Sequence, residues 1–234
     1  MGSRAAAGAQ GEHAEASRAS GVRVRLGASP GCVMELLAGR AAYWEARRTL
    51  IVADVHLGKC ATFRSMGVAV PELLGEDLTR LSTLVARHRA ERLLVLGDLL
   101  HASLGLTEHV IERVRLWRDA LGAEVEVVPG NHDRALERVA GVWGMRVLDD
   151  VHVEEPFVFR HDPAPDDRGY VLCGHVHPAV SLSSGSDRMK LACYWLGERV
   201  GVLPAFSRFT SGASVRRGVG DRVFAIVEDR VIEV

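Results

Sequence analysis

The chain has 234 residues, 47% hydrophobic and 25% charged, the balance of an ordinary folded protein with room for one substantial domain. No apolar run approaches the roughly 20 residues of a membrane-spanning helix, and the first 20 residues lack the apolar stretch of a secretory signal, so a cytoplasmic address with no membrane association is expected. A formal net charge of −1 excludes any overall pull toward nucleic acid and leaves that task to local basic residues or bound cations.

In chain order, residues 1–21 are small and polar without periodicity and read as a disordered tail, with a single domain over 22–234. Val33–Leu37, Gly39-Arg40 and Ala41–Glu45 read as a hairpin. A repeated pattern follows, in which short apolar runs end abruptly in chemically capable residues. Thr49–Ala53 leads into Asp54-Val55-His56, and Arg92–Leu96 leads into Gly97-Asp98. Val125–Val128 precedes Pro129-Gly130-Asn131-His132-Asp133, and Tyr170–Cys173 precedes Gly174-His175-Val176-His177. Such continuous runs suit strands covered on both faces. Helical spacing marks Glu72–Arg89 and Thr107–Leu121, the latter with Thr107 placed as N-cap, so the first half reads as βαβαβ with parallel strands. Beyond about residue 145, Arg146–Leu148, Phe157–Arg160, Leu191–Leu196, Val200–Leu203, Val223–Val227 and Val231–Val234 predict a mainly antiparallel second half, with a Pro- and Asp-rich loop at Asp162–Gly169. The four cysteines are scattered, which suits free thiols in a reducing compartment.

In open α/β sheets, functional groups gather beyond the carboxyl ends of strands. Here those ends carry carboxylates, imidazoles and an amide oxygen but no thiolate, a donor set for Mn, Fe, Zn or Mg-like ions. If the strands continued, Asp54 and His56, and likewise His175 and His177, would face one way at two-residue spacing, and the Asp98 carboxylate could bridge two ions. Taken singly, each cluster has a plainer reading: Gly-Asp is a common turn, and Asp133 could simply cap a helix over Arg134–Val139. Together, in order and each at the end of an apolar run, they reinforce one another.

The succession D-x-H, G-D, G-N-H-D, a single His and G-H-x-H resembles the calcineurin-like metallophosphoesterase superfamily over roughly residues 50–180. That resemblance implies an α/β fold, a four-layer α/β/β/α sandwich of two mixed sheets with a dinuclear metal site at the strand C-terminal ends. It also implies two divalent ions, Mn foremost with Fe or Zn open. One would be held by Asp54, His56, Asp98 and His177, the other by Asp98, Asn131, His161 and His175. His152 is the rival to His161, which is preferred because Phe157–Arg160 is the better strand. A hydroxide activated by the two ions would attack phosphorus, His132 would stand by the leaving oxygen, and Asp133 would orient His132.

Leu57-Gly58-Lys59, Phe63-Arg64 and Val70-Pro71, with Val202–Phe206 and Phe209-Thr210-Ser211-Gly212, are similar to the bacterial DNA-ligase-associated metallophosphoesterases. Ser211 stands where a second glycine is usual. This narrower resemblance implies a DNA-repair endonuclease acting on DNA and associated with a DNA ligase and a helicase. Lys59 and Arg64 could touch flanking phosphates, and His101 could touch substrate; surface charge and a structural histidine are the plainer readings. A small-molecule or cyclic-nucleotide phosphodiesterase and a non-catalytic binding module stay open, the latter weakened because every expected ligand is present.

Overall fold

The computed structural model describes residues 21–27, 31–184 and 187–234, so the expected tail lies outside the described residues except for Gly21. The chain first builds a seven-stranded sheet in sequence order: β1 (Val22–Arg25), β2 (Val33–Leu37), β3 (Ala41–Trp44), β4 (Thr49–Val52), β5 (Arg92–Leu96), β6 (Glu124–Val128) and β7 (Arg146–Val147). β1 to β4 are antiparallel neighbours, and β4 to β7 are parallel. Helices α1 (Lys59–Ser65), α2 (Leu74–His88), α3 (Glu108–Ala120) and α4 (Glu137–Ala140) lie in the connections between the parallel strands.

The second sheet holds β8 (Val151–Glu154), β9 (Phe157–Arg160), β10 (Tyr170–Cys173), β11 (Pro178–Ser184), β12 (Asp187–Leu196), β13 (Val200–Val202), β14 (Ala213–Ser214), β15 (Arg222–Val227) and β16 (Arg230–Glu233). Its order is β14-β11-β12-β13-β10-β9-β8, with β15 added to β12 and β16 to β15. β9, β10 and β13 run parallel, so this sheet is mixed.

The unbroken apolar runs are explained by burial on both faces. Leu50, Val52, Leu93, Val95, Val125 and Val127 point toward the helices, where Leu74, Leu78, Leu81 and Val85 of α2 and Val110 and Val114 of α3 meet them. Ile51, Ala53, Leu94, Leu96 and Val128 point the other way, against Phe157, Phe159, Leu172, Tyr194 and Phe224 of the second sheet. Thr107 caps α3 as its Oγ1 accepts from the Val110 amide at 3.3 Å.

Two mixed sheets and helices agree with the sequence expectation. Among the described residues the last helix ends at Ala140, and the outer face of the second sheet carries a small cluster of Val158, Val171, Cys173 and Val202. No helix among the described residues is long and apolar enough to cross a membrane.

Tyr194 joins the sheets through its hydroxyl, which lies 2.6 Å from the Leu37 carbonyl and 2.7 Å from that of Ala41 in a fully buried setting. Tyr194→Phe is expected to cost about 1–3 kcal/mol, because buried carbonyls lose their donor. The check is the urea unfolding midpoint at unchanged slope; an unchanged midpoint would show that the hydroxyl contributes nothing.

Candidate metal centre

Five strands end at one rim. Asp54 and His56 follow β4, Asp98 follows β5, Asn131 follows β6, His161 follows β9, and His175 and His177 follow β10. Five of these residues adopt left-handed backbone: Asp54 (φ 53°), His56 (54°), Asp98 (50°), His175 (69°) and His177 (51°). This conformation costs a non-glycine residue roughly 1–2 kcal/mol. The strands therefore do not continue with alternating faces, as the two-residue spacing had suggested. Each ligand pair converges because the backbone turns at the strand end.

Backbone hydrogen bonds hold these turns. The Asp54 amide donates to the Gly97 carbonyl at 3.1 Å and the His56 amide to that of Asp98 at 2.9 Å, which extends the pairing of β4 with β5 past both strand ends. From far along the chain, the Phe206 amide donates to the Ala53 carbonyl at 2.8 Å and the Ser207 amide to that of Asp54 at 3.3 Å.

Asp54 is fully buried and Asp98 only 3% exposed. Among the described residues, their ion-pair partners are histidines alone: His161 and His177 for Asp54, His132 and His161 for Asp98. Donor atoms of Asp54, His56 and His177 lie within 4.8 Å of one another, as do those of Asp54, Asp98 and His161. Nε2 of His56 and Nε2 of His177 stand 3.4 Å apart, and Nε2 of His161 lies 3.0 Å from both Asn131 Oδ1 and His175 Nδ1. Two ligands about 2.0–2.1 Å from one tetrahedral ion stand roughly 3.4 Å apart, so the spacing fits a shared cation. His56 Nδ1 is buried without a hydrogen-bond partner. The His161 ring is oriented by the Leu96 carbonyl, 3.2 Å from its Nδ1, which leaves Nε2 to face the cluster.

Electrostatics agree with this fit. Burial, reinforced by Lys59, pushes His56 down to about 3, which keeps the ring neutral with one nitrogen lone pair free for a cation. Burial opposes charge on His161 too, yet hydrogen bonding to Asp98 and the field of both carboxylates raise it to about 9. The centre thus attracts positive charge strongly enough to hold a proton where a cation would sit.

The motif glycines explain themselves here. A Cβ on Gly97 would collide with the His161 ring, one on Gly130 with the Asp98 carboxylate, and one on Gly174 would stand 2.6 Å from Asp54 Oδ2. Each glycine clears space for a ligand supplied by a different motif.

His132 is exposed, and its Nδ1 lies 2.7 Å from the His101 carbonyl. Nε2 is thereby left facing the centre, 3.9 Å from Asp98 Oδ2. Asp133 does not orient this ring, contrary to the resemblance. Its buried carboxylate turns inward and accepts from the amides of Gly130 (2.8 Å), Leu100 (2.8 Å) and Leu99 (3.3 Å). The His101 ring stacks between Phe63 and His132, at 6.0 and 5.5 Å between centroids. Burial, with Lys59 and His132 adding to it, pushes His101 down to about 4.

Lys59 opens α1 and lines the basin over the centre. Arg64 does not line it: it pairs with Glu72 at the other end of the helix. His152 lies on β8, stacked on Phe159, away from the cluster that contains His161. Sequence reasoning missed the His101 carbonyl and the Ala205–Ser207 segment, whose contacts span more than 30 and 150 residues and leave no local signal.

Gly97→Ala is expected to weaken divalent-cation binding about 10–100-fold, the range seen when the support of a metal ligand is lost. Titration calorimetry with Mn checks it beside circular dichroism; wild-type affinity in the folded variant would contradict the steric account.

Comparison with known proteins follows the same lines. The calcineurin-like phosphoesterase family profile matches residues 47–198. Among solved structures, the chain is similar to Pseudomonas putida nuclease MPE, with 35% identity and a TM-score of 0.79 over 92% of this chain and 100% of that one. AQ665, a protein of unknown function from Aquifex aeolicus, matches at 19% identity and a TM-score of 0.41 over 55% of this chain and 78% of that one. No curated protein matches the sequence significantly. Because the matched segment carries the whole rim from Asp54 to His177, the chain belongs to the calcineurin-like phosphoesterase family and is a metal-dependent hydrolase.

Proposed function

We propose that the protein is a nuclease that hydrolyses phosphodiester bonds of DNA, with Asp54, His56, Asp98 and His177 holding one divalent ion and Asp98, Asn131, His161 and His175 the other. The observation that carries this reading is the basin above the centre, of about 160 Å3, lined by His56, Lys59, Asp98, His101, Asn131, His132, His175 and His177. Among the described residues no aliphatic side chain lines it, so it lacks the deep aliphatic pocket that grips a small molecule. Such a basin recognises the phosphate and leaves the rest of the substrate outside, which favours a polymer over a cyclic nucleotide. The likeness to the Pseudomonas putida nuclease supports the same choice.

When bound, the ions supply charge neutralisation at the phosphoryl oxygens and acidify an attacking water. The chain's own part is positional. His132, with Nδ1 occupied by the His101 carbonyl, offers Nε2 to the leaving or a phosphoryl oxygen. Lys59 adds positive charge at the edge of the basin. Asp133 holds the loop that carries Asn131 and His132 by accepting three backbone amides. Mn is the metal proposed, with Fe or Zn as alternatives from the same donor set. The stretches shared with ligase-associated relatives support a DNA-repair setting beside a DNA ligase and a helicase. Three buried free cysteines, Cys60, Cys173 and Cys193, support a cytoplasmic address.

Purified, Mn-loaded protein is expected to cut at least one of nicked, gapped, single-stranded and supercoiled DNA. Hydrolysis of cyclic nucleotides with all four DNAs left intact would sink the nuclease reading. His132→Ala is expected to slow turnover about 10²–10⁴-fold while metal content stays near two per chain; parallel loss of metal and activity would count against a catalytic role.

A further inference from the structure

A strand that presents one phosphate to the metal centre must carry its neighbours across the rim, and the rim is asymmetric. Beyond His56 lies a narrow cleft of about 20 Å3 where Lys59 is accompanied by Glu72 and Asp77. Beyond His177 an open groove of about 260 Å3 runs over β11 and β12. Its lining includes Arg40, Lys190 and the hydroxyl residues Thr210 and Ser211, with no carboxylate. His177 lines both this groove and the basin over the centre, so the two adjoin.

The cations in the groove form no ion pair among the described residues. Nearby arginines spend their charge on acids, Arg80 on Asp77 and Arg208 on Glu76. Among the described residues neither Arg40 nor Lys190 pairs with a carboxylate. Nη1 of Arg40 donates to the carbonyls of Ala205 (3.2 Å) and Ser207 (2.9 Å), which fixes the guanidinium while its remaining donors have no protein partner there. Lys190 stands exposed on β12 opposite Ser181 of β11, with Nζ donating to the Gly212 carbonyl. A planar guanidinium held by two carbonyls, an ammonium and the Ser211 hydroxyl line the one groove, and these groups suit a phosphate oxyanion; the Thr210 hydroxyl is occupied, donating to the Ser207 carbonyl at 3.3 Å. The opposite cleft, of about 20 Å3, is too small to take the same group.

We propose that the Arg40–Lys190 groove binds a phosphate of the nucleic-acid strand adjacent to the one being cleaved. This inference rests on the nuclease reading and adds the side of the centre over which the strand leaves.

The test uses the full-length, Mn-loaded protein and two substrates: a labelled DNA substrate that the wild type cleaves, and bis-p-nitrophenyl phosphate, a diester with no neighbouring phosphate. The readout is the ratio of kcat/KM on DNA to kcat/KM on the small diester. Lys190→Ala is expected to lower that ratio on the order of tenfold and to reduce the salt slope of DNA binding by about one. Lys190→Arg is expected to restore both, and Arg40→Lys, which keeps charge but loses the planar fork, to lower the ratio again. A ratio within twofold of wild type in both Lys190→Ala and Arg40→Lys overturns the groove, whether the two rates hold or fall together. If the wild type cleaves the small diester but no DNA, the nuclease reading itself fails and the groove fails with it.

Discussion

Asp54 and Asp98 are carried to the rim where five strands end, and there they are buried side by side with no lysine or arginine among the described residues paired to either. Removing a carboxylate from water costs several kcal/mol unless opposite charge and hydrogen bonds compensate. Backbone amides offset part of the cost: that of His175 donates to both Asp54 oxygens at 3.0–3.1 Å, and that of His132 to Asp98 at 2.9 Å. The remainder is a negative potential, visible in the raised affinity of His161 for a proton. A divalent cation discharges that potential better than protonated imidazoles, which would repel one another at 3.0–3.4 Å. The histidine lining is thus the complement of the buried carboxylates, since neutral imidazole adds lone pairs without adding charge to a site already too negative.

Bringing those ligands together needs backbone that an ordinary strand does not supply, and the strain is countered from outside the motifs. The segment ending at Ser207 lies beside Ala53 and Asp54, and its own carbonyls are held in turn. Arg40 takes those of Ala205 and Ser207, while Arg80 takes that of Phe206 and lies over its ring at 4.2 Å. Left-handed turns at the first motif are therefore stabilised by residues about 150 positions away. This gives the segment that follows β13 a role in positioning the ligands of the first motif.

What could be read from the sequence follows from how local each feature is. The parallel βαβαβ half was legible because β4, β5 and β6 are buried on both faces and read as unbroken apolar runs. The ligand motifs were legible because each sits within a few residues of such a run. His161 was separable from His152 by strand quality, and the structure brings His161 rather than His152 to the rim. β8 and β11 were missed because neither carries the unbroken apolar run that marked the other strands, and β8 is only four residues long and partly buried throughout. The left-handed ligands were hidden as well: Asp and His carry no mark of backbone conformation, and only the adjoining glycines hint at it. The role of Asp133 was misread because the motif spacing allows contact with His132 but does not require it.

That misreading bears on how the catalytic geometry is set. The loop after β5 and the loop after β6 are crossed by three kinds of tie. Asp133 accepts amides from Leu99 and Leu100 of the first loop and Gly130 of the second. Asp98 accepts the His132 amide, and the His101 carbonyl accepts from the His132 ring. The His101 carbonyl, accepting from Nδ1–H, fixes the tautomer and the orientation, so the ring presents Nε2 to the basin. The distance from His132 to Asp98 is then a property of two loops locked together, set before any substrate arrives, and preorganisation of this kind is where a site made of a few polar groups finds its catalytic power.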